Sequence, residues 1–217
     1  MMIASNEVHI WFFSEESGSA GPPPASESLL RRAVSLYTGR PPGSVTLSVN
    51  PSGRPVIRPD GNRPDFPDAN LSHSGLLTVV AVSASGVGVD VERLRSVPRL
   101  KDVLEFCFSA GERAWVLEPP AKEERELRFF RLWTLKEAAV KQRGADMMVQ
   151  GGDMVFTPEE AASEGPFRGT FTTGNDLYFE RLFFWQGYAG ALCYEGPRKQ
   201  VILKGPLPAE STETGNA

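Results

Sequence analysis

The segment Gly88–Glu92 (GVDVE) contains two carboxylates that could bind a common ligand. Because side chains alternate across a strand, Asp90 and Glu92 share one face, while Val89 and Val91 share the other. Like charges at this spacing repel and raise each other's pKa unless a cation lies between them. Hard oxygen ligands suit Mg²⁺, which often binds carboxylates together with substrate phosphates. A strand with a solvated polar face is the alternative, and the pattern alone leaves both open.

A second group lies in Trp133–Lys141 (WTLKEAAVK). Positions four apart share one helical face, so Trp133, Glu137 and Lys141 form one stripe. This stripe could supply a third carboxylate for a metal ion and a cation for a phosphate. The alternative is a surface Glu–Lys pair, which stabilises a helix by only about 0.3–0.5 kcal/mol.

Small polar residues surround one of the two histidines, His73, in Asn70–Gly75 (NLSHSG). We expect a turn before a strand here, where backbone amides and hydroxyls can gather around an anion; a plain turn is the alternative. Several arginines in the first half could hold phosphate groups bidentately or could simply be solvated. They are Arg31, Arg32, Arg54, Arg58 and Arg63.

Hydrophobic periodicity and capping residues predict the helices and strands that must position these residues. The strongest helix candidate is Lys122–Arg143, with Gly144 as its C-cap. A capping box, Ser109 to Glu112, starts a shorter helix. Further helices are predicted at Leu29–Tyr37, capped by Ser28 and ended by Gly39, and at Arg99–Cys107. The predicted strands are Glu7–Phe13, Val45–Val49, Leu76–Ser83, Val87–Val91, Met154–Phe156, Leu177–Phe184, Tyr188–Cys193 and Val201–Leu203.

Connections complete the predicted organisation. The Ala84–Gly86 link (ASG) favours a hairpin between the strands that flank it, and Ser14–Ser28 is expected to be a loop. Strands dispersed among helices indicate the α+β class. We expect an N-terminal α+β half over residues 1–85, a C-terminal α+β half with the metal site over 86–204, and a flexible tail over 205–217.

Composition excludes several classes of protein. The chain has 217 residues, of which 41% are hydrophobic and 23% charged, with a formal charge of −4, so a globally basic nucleic-acid binder is not expected. Only Cys107 and Cys193 occur, which excludes a disulfide framework. There is no apolar run near the roughly 20 residues of a membrane span and no signal-peptide pattern, so we expect a cytoplasmic protein. Pattern alone favours a Mg²⁺-dependent enzyme acting on a phosphate or pyrophosphate.

The order and spacing of four motifs resemble the 4′-phosphopantetheinyl transferases, in their Sfp-type (surfactin-synthetase-activating) branch. The motifs are Gly53-Arg54-Pro55, Asn70–Ser74, Gly88–Glu92 and Phe129–Gly144. The last matches the family pattern at each specified position, namely Phe129, Trp133, Lys136, Glu137, Ala138, Lys141 and Gly144. Each motif alone would be a weak signal, whereas four in the right order are specific.

The resemblance implies a fold and a reaction. The expected fold is a pseudo-twofold pair of similar α+β halves in one chain, with coenzyme A in the cleft between them. The expected reaction transfers the 4′-phosphopantetheine group from coenzyme A to a serine of a carrier protein and releases adenosine 3′,5′-bisphosphate. The implied partners are acyl, aryl or peptidyl carrier domains of polyketide, nonribosomal peptide or fatty acid synthases. A monomer that acts in secondary metabolite biosynthesis is expected.

The resemblance also assigns roles. Asp90, Glu92 and Glu137 match the Mg²⁺ ligands, and Lys141 matches a lysine that contacts the phosphate under attack. Glu137 is the candidate general base for the serine, directly or through a metal-bound water. The remaining coenzyme A-binding positions are Ser72 and His73, for the phosphates, and Arg31, Arg54 and Pro55, near the 3′-phosphate and the adenine.

One departure from the family is clear. Longer members carry a basic segment that helps to hold the 3′-phosphate, whereas Ser14–Ser28 contains no Lys or Arg. The 3′-phosphate would then depend on Arg31, Arg32 or Arg54. Two other functions stay open: another Mg²⁺-dependent phosphohydrolase that acts on a nucleotide pyrophosphate, and a non-catalytic module that binds carrier proteins.

Overall fold

The structure, a computed structural model, describes residues 1–14, 25–49, 55–58, 66–144, 154–169 and 177–208. Within them the elements follow in this order: β1 (Glu7–Ser14), α1 (Ser26–Thr38), a 3₁₀ helix (Pro42–Ser44), β2 (Thr46–Val49), β3 (Pro55–Arg58), β4 (Asp68–Ser74), β5 (Leu77–Ser83), β6 (Val87–Arg93), α2 (Leu100–Cys107), α3 (Ala110–Leu117), α4 (Lys122–Arg143), α5 (Pro158–Ala162), β7 (Phe167–Gly169), β8 (Leu177–Arg181), β9 (Tyr188–Glu195) and β10 (Gln200–Pro206). This mixture of helices and sheets confirms the predicted α+β class.

Two four-stranded sheets form the frame, with strand orders β10-β1-β5-β4 and β6-β9-β8-β7, and β2 pairs with β3 in a separate ribbon. β10 runs parallel to β1, so a strand expected in the second half completes the first sheet. The tail predicted over 205–217 begins inside this strand: Gly205 and Pro206 belong to β10, and Leu207 is buried. Residues 209–217 lie outside the described residues, as do 15–24 of the predicted loop.

The predicted hairpin across Ala84–Gly86 is wrong. β5 and β6 belong to different sheets, and β6 pairs instead with β9, which is distant in sequence. The observed hairpin joins β4 to β5 and turns at Gly75, whose φ of 58° favours glycine. The turn expected at Asn70–Gly75 is therefore mostly strand, with only Gly75 and Leu76 in the turn.

Local signals located the helices well. α4 has the predicted bounds and ends at Gly144 in the left-handed conformation, and the capping box of α3 forms between Ser109 and Glu112. α1 begins at Ser26, earlier than predicted, without a side-chain cap, so Ser28 does not cap it. Met154–Phe156, predicted as a strand, has no regular structure.

Each large sheet packs against one principal helix. Leu29 and Ala33 of α1 pack against the first sheet, while Leu132 and Ala139 of α4 pack against the second. The pseudo-twofold relation between the halves and the boundaries at residues 85 and 204 stay predictions. Among the described helices, none combines the length and the apolar character that crossing a membrane requires.

Candidate functional site

Gly88 lets the main chain of α4 lie directly on β6. A Cβ atom at this position would lie 2.0 Å from the carbonyl oxygen of Ala138 and 2.4 Å from the backbone nitrogen of Gln142. Neither backbone atom can move without moving the helix. The glycine therefore allows the contact that brings β6, with Asp90 and Glu92, against the helix that carries Glu137 and Lys141.

A row of polar side chains on β4 connects the first sheet to β6. Asp68 Oδ2 accepts a hydrogen bond from the Val87 backbone N–H (2.8 Å), and Asn70 Oδ1 accepts one from Val89 (3.2 Å). Further along, the hydroxyls of Ser72 and Ser74 donate to Asp90 (2.8 Å) and Glu92 (2.9 Å). Alternate positions of one strand thus satisfy polar groups of a strand in the other sheet. Sequence reasoning missed this row, although the period of two in DANLSHS was its signal.

An open cavity of about 340 Å³ lies where β4, β6 and α4 meet. Its lining includes six residues that the sequence predicts for the site: Ser72, His73, Asp90, Glu92, Glu137 and Lys141. Ser26, Leu71 and Trp133 complete it. His73 is exposed on β4, so its ring is accessible to an anion in the cavity.

Asp90 is the most buried charged group of the cavity, at 4% exposure. Its Oδ1 accepts hydrogen bonds from the Lys141 ammonium group (2.7 Å) and the Ser72 hydroxyl (2.8 Å), and Lys141 also donates to Ser72 (2.7 Å). Burial raises the pKa of Asp90, while Lys141 and Ser72 act in the opposite direction. Lys141 thus supplies a cation that pairs with the buried Asp90 carboxylate.

Glu92 is held from two sides. Its Oε2 accepts hydrogen bonds from Ser74 (2.9 Å) and from the guanidinium of Arg95 (2.9 Å). The Arg95 guanidinium also lies 5.2 Å from the centroid of the Phe130 ring, which orients it. The Glu92 carboxylate is therefore positioned by a hydroxyl and a cation before any ligand binds.

The carboxylates offer suitable chemistry for a metal ion without forming a ready-made metal site. Among the described residues, no three His, Cys, Asp or Glu side chains are gathered closely enough to hold one. Asp90 Oδ2 is buried and has no hydrogen-bond partner among them, so it is an oxygen available to a ligand. Asp90, Glu92 and Glu137 line one cavity, and all three supply the hard oxygen donors that Mg²⁺ prefers.

The arginines expected near the 3′-phosphate are placed differently. Arg31 donates to the carbonyl oxygen of Val45, and Arg32 is buried and donates to that of Pro208; neither lines the cavity. Arg54 lies outside the described residues, and Pro55 begins β3. The structure therefore does not bring Arg31 together with His73.

Comparisons with known proteins find similarity in the part of the chain that contains most of these residues. Residues 86–193 match the model of the 4′-phosphopantetheinyl transferase superfamily, and this span contains Asp90, Glu92, Glu137 and Lys141. The chain is 36% identical over 118 residues to the 4′-phosphopantetheinyl transferase psf-1 of Bacillus pumilus, covering 54% of this chain and 48% of the relative. It is 31% identical over 144 residues to HetI of Nostoc sp., covering 64% and 58%.

Sfp of Bacillus subtilis, also a 4′-phosphopantetheinyl transferase, is 30% identical over 118 residues, covering 54% of this chain and 49% of the relative. The chain thus spans about half the length of the curated relatives that it matches. The span that matches the family contains β6, α4 and most of β9. Through residues 86–193, the chain belongs to the 4′-phosphopantetheinyl transferase superfamily.

Proposed function

We propose that this protein transfers the 4′-phosphopantetheine group of coenzyme A to a serine hydroxyl of a carrier protein and releases adenosine 3′,5′-bisphosphate. The observation that carries the proposal is the cavity in which Ser72, His73, Asp90, Glu137 and Lys141 converge between the two sheets. Relatives named as 4′-phosphopantetheinyl transferases support it.

Asp90, Glu92 and Glu137 would hold Mg²⁺ beside the coenzyme A pyrophosphate. When bound, the metal ion neutralises the negative charge on the phosphate oxygens. His73, exposed at the rim of the cavity, and Ser72 would contact the phosphates. The 3′-phosphate contact is assigned to Arg54 of the Arg54-Pro55 motif, since Arg31 is engaged by Val45.

Lys141 would change partners when coenzyme A binds. Its ammonium group now neutralises Asp90, and a phosphate at the same place would accept its hydrogen bonds as well. The serine oxygen attacks the phosphorus that carries the pantetheine arm, and the bond from that phosphorus to the bridging oxygen breaks. Glu137 accepts the serine proton, and adenosine 3′,5′-bisphosphate leaves with the electron pair of the broken bond.

The direct test is the intact mass of a carrier protein after incubation with this chain, coenzyme A and Mg²⁺. We expect the mass to rise by one phosphopantetheinyl group. Glu137→Gln and Asp90→Asn should each slow the transfer at least a hundredfold, because each removes a group that acts on the reacting phosphate. Glu123→Gln, an exposed glutamate at the other end of the same helix, should retain the wild-type rate. Consumption of coenzyme A without carrier modification would favour a phosphohydrolase instead.

A further inference from the structure

A second, smaller cavity lies against the middle of α4. It has a volume of about 80 Å³ and is lined by Leu127, Arg131 and Thr134 of the helix and by residues 181–183 and 188–190 around the connection from β8 to β9. Along α4 it lies nearer the N-terminus than the cavity proposed for coenzyme A, which Trp133, Glu137 and Lys141 line. None of its lining residues lines the cavity proposed for coenzyme A.

Arg181, in this cavity wall, carries an unsatisfied buried donor. The side chain is only 5% exposed. Its Nε donates to the carbonyl oxygen of Ser163 (2.6 Å) and its Nη2 to that of Ala162 (2.8 Å), which fixes the guanidinium plane. Its Nη1 is buried and has no hydrogen-bond partner among the described residues. An unpaired donor on a buried cation is unfavourable, so a site of this kind gains strongly from an acceptor.

Arg131 adds a second cation to the same cavity. It is half-buried, and its side chain forms no hydrogen bond or salt bridge within the part of the chain that the structure describes. Burial, followed by repulsion from Arg131, lowers the pKa of Arg181 to about 10. Glu164 opposes this effect, but its side chain is exposed and forms no salt bridge with either arginine in the described structure. Two guanidinium groups therefore face a cavity whose described lining contains no carboxylate.

We propose that this cavity binds a small oxyanion, a phosphate or a carboxylate, between Arg131 and Arg181. Guanidinium groups match such anions through paired hydrogen bonds. The cavity volume of about 80 Å³ is several times larger than the roughly 10–15 Å³ that one water molecule needs. An anion of four or five heavy atoms therefore fits. The site is distinct from the proposed transfer reaction and does not depend on it.

Inorganic phosphate is the probe for the test, with acetate in a parallel arm and with sodium chloride keeping the ionic strength constant. Binding to the full chain is measured by isothermal titration and by the rise in thermal midpoint, because a ligand that binds only the folded state stabilises it. Arg131→Gln should raise the dissociation constant for phosphate at least tenfold. Glu164→Gln, which removes a competing negative charge, should lower it severalfold. Lys101→Gln removes an exposed cation elsewhere and is the matched control.

His73→Ala separates the two cavities, since His73 lines only the larger one. The proposal requires that phosphate binding to the smaller cavity survive this substitution. It is overturned if Arg131→Gln binds phosphate as tightly as Lys101→Gln, if chloride alone reproduces the thermal shift, or if His73→Ala abolishes all phosphate binding. The acetate arm decides which oxyanion the site takes: acetate binding that depends on Arg131 indicates carboxylates, and phosphate binding alone indicates tetrahedral anions.

Discussion

The ammonium nitrogen of Lys136 lies 3.1 Å from Oε1 of Glu112, and neither side chain is exposed to solvent. Glu112 also accepts hydrogen bonds from the backbone N–H groups of Ser109 (2.8 Å) and Phe156 (3.0 Å), and Lys136 donates to the carbonyl oxygen of Met154. Burial lowers the pKa of Lys136, and Glu112 acts in the opposite direction. One buried ion pair therefore ties α4 to the start of α3 and to the chain at residues 154–156.

Lys136→Met should lower the free energy of unfolding by about 3–5 kcal/mol, because it leaves the buried carboxylate of Glu112 without its cation. Lys122→Met is the matched control on the same helix. The Lys122 side chain is 66% exposed, and its ammonium nitrogen lies 3.7 Å from Oε1 of Glu126. Its loss should therefore lower the free energy of unfolding by less than about 1 kcal/mol. Urea unfolding of both variants measures the difference. Equal stability of the two would contradict a supporting role for the buried pair.

Gly88→Ala should lower the free energy of unfolding by about 1–3 kcal/mol or more, because overpacked sites usually cost this much. The added Cβ must displace the main chain of α4 and so separate Asp90 from Lys141. Transfer activity should fall together with stability. Gly111→Ala, in α3, is the control: open space surrounds the position, so alanine should stabilise the helix by about 0.5–1 kcal/mol. Unfolding by urea, with parallel activity assays, would show whether the two glycines differ.

Asp68 should make stability depend on pH. Burial raises the pKa of this carboxyl to about 6, above its unfolded value of about 3.9, although the Val87 N–H opposes the shift. The fold therefore favours the protonated form. Its contribution to stability is full below about pH 3.9 and is lost as the pH rises through about 6. Asp68→Asn removes this titration, so its stability relative to the wild type should increase from pH 4 to pH 7. A carboxyl midpoint near 4 in an NMR titration would refute the explanation.

Arg99→Glu should weaken the use of an acidic carrier protein. The Arg99 side chain is 83% exposed beside α2, and Phe106 of that helix is also exposed, so both suit a docking surface. Arg95 is a poorer probe because it binds Glu92. We expect a higher carrier Michaelis constant and a weaker salt dependence, with coenzyme A binding unchanged. Lys204→Glu, an exposed cation on β10, is the control. If carrier use depended equally on salt in the two variants, the carrier protein would dock on another surface.

Sequence patterns predicted the elements that local chemistry determines. The capping box of α3 and the glycine after α4 act within one helical turn, and both helices formed as expected. Strand pairing was harder, because β6 pairs with β9 through contacts distant in sequence rather than with β5. β4 was missed as a strand because its polar side chains are satisfied by β6, across the boundary between two sheets.

The candidate site, like the fold, was predicted only in part from the sequence. The motifs predicted that Asp90, Glu92, Glu137 and Lys141 would converge, and all four line one cavity. The ion pair between Asp90 and Lys141 was not predicted, because a stripe on a helix does not reveal which strand faces it. Phe108 packs on Phe129 in the core. Residue type alone could not distinguish it from the exposed Phe106.

The parallel pairing of β10 with β1 constrains the order in which the protein can fold during synthesis. β1 ends at Ser14, whereas β10 begins at Gln200. The ribosome therefore releases β1 and β5 long before the partner for the other side of β1 exists. Until then that edge presents unpaired backbone groups, which favour association with other chains. The first sheet is therefore completed only after all strands of the second sheet have been made.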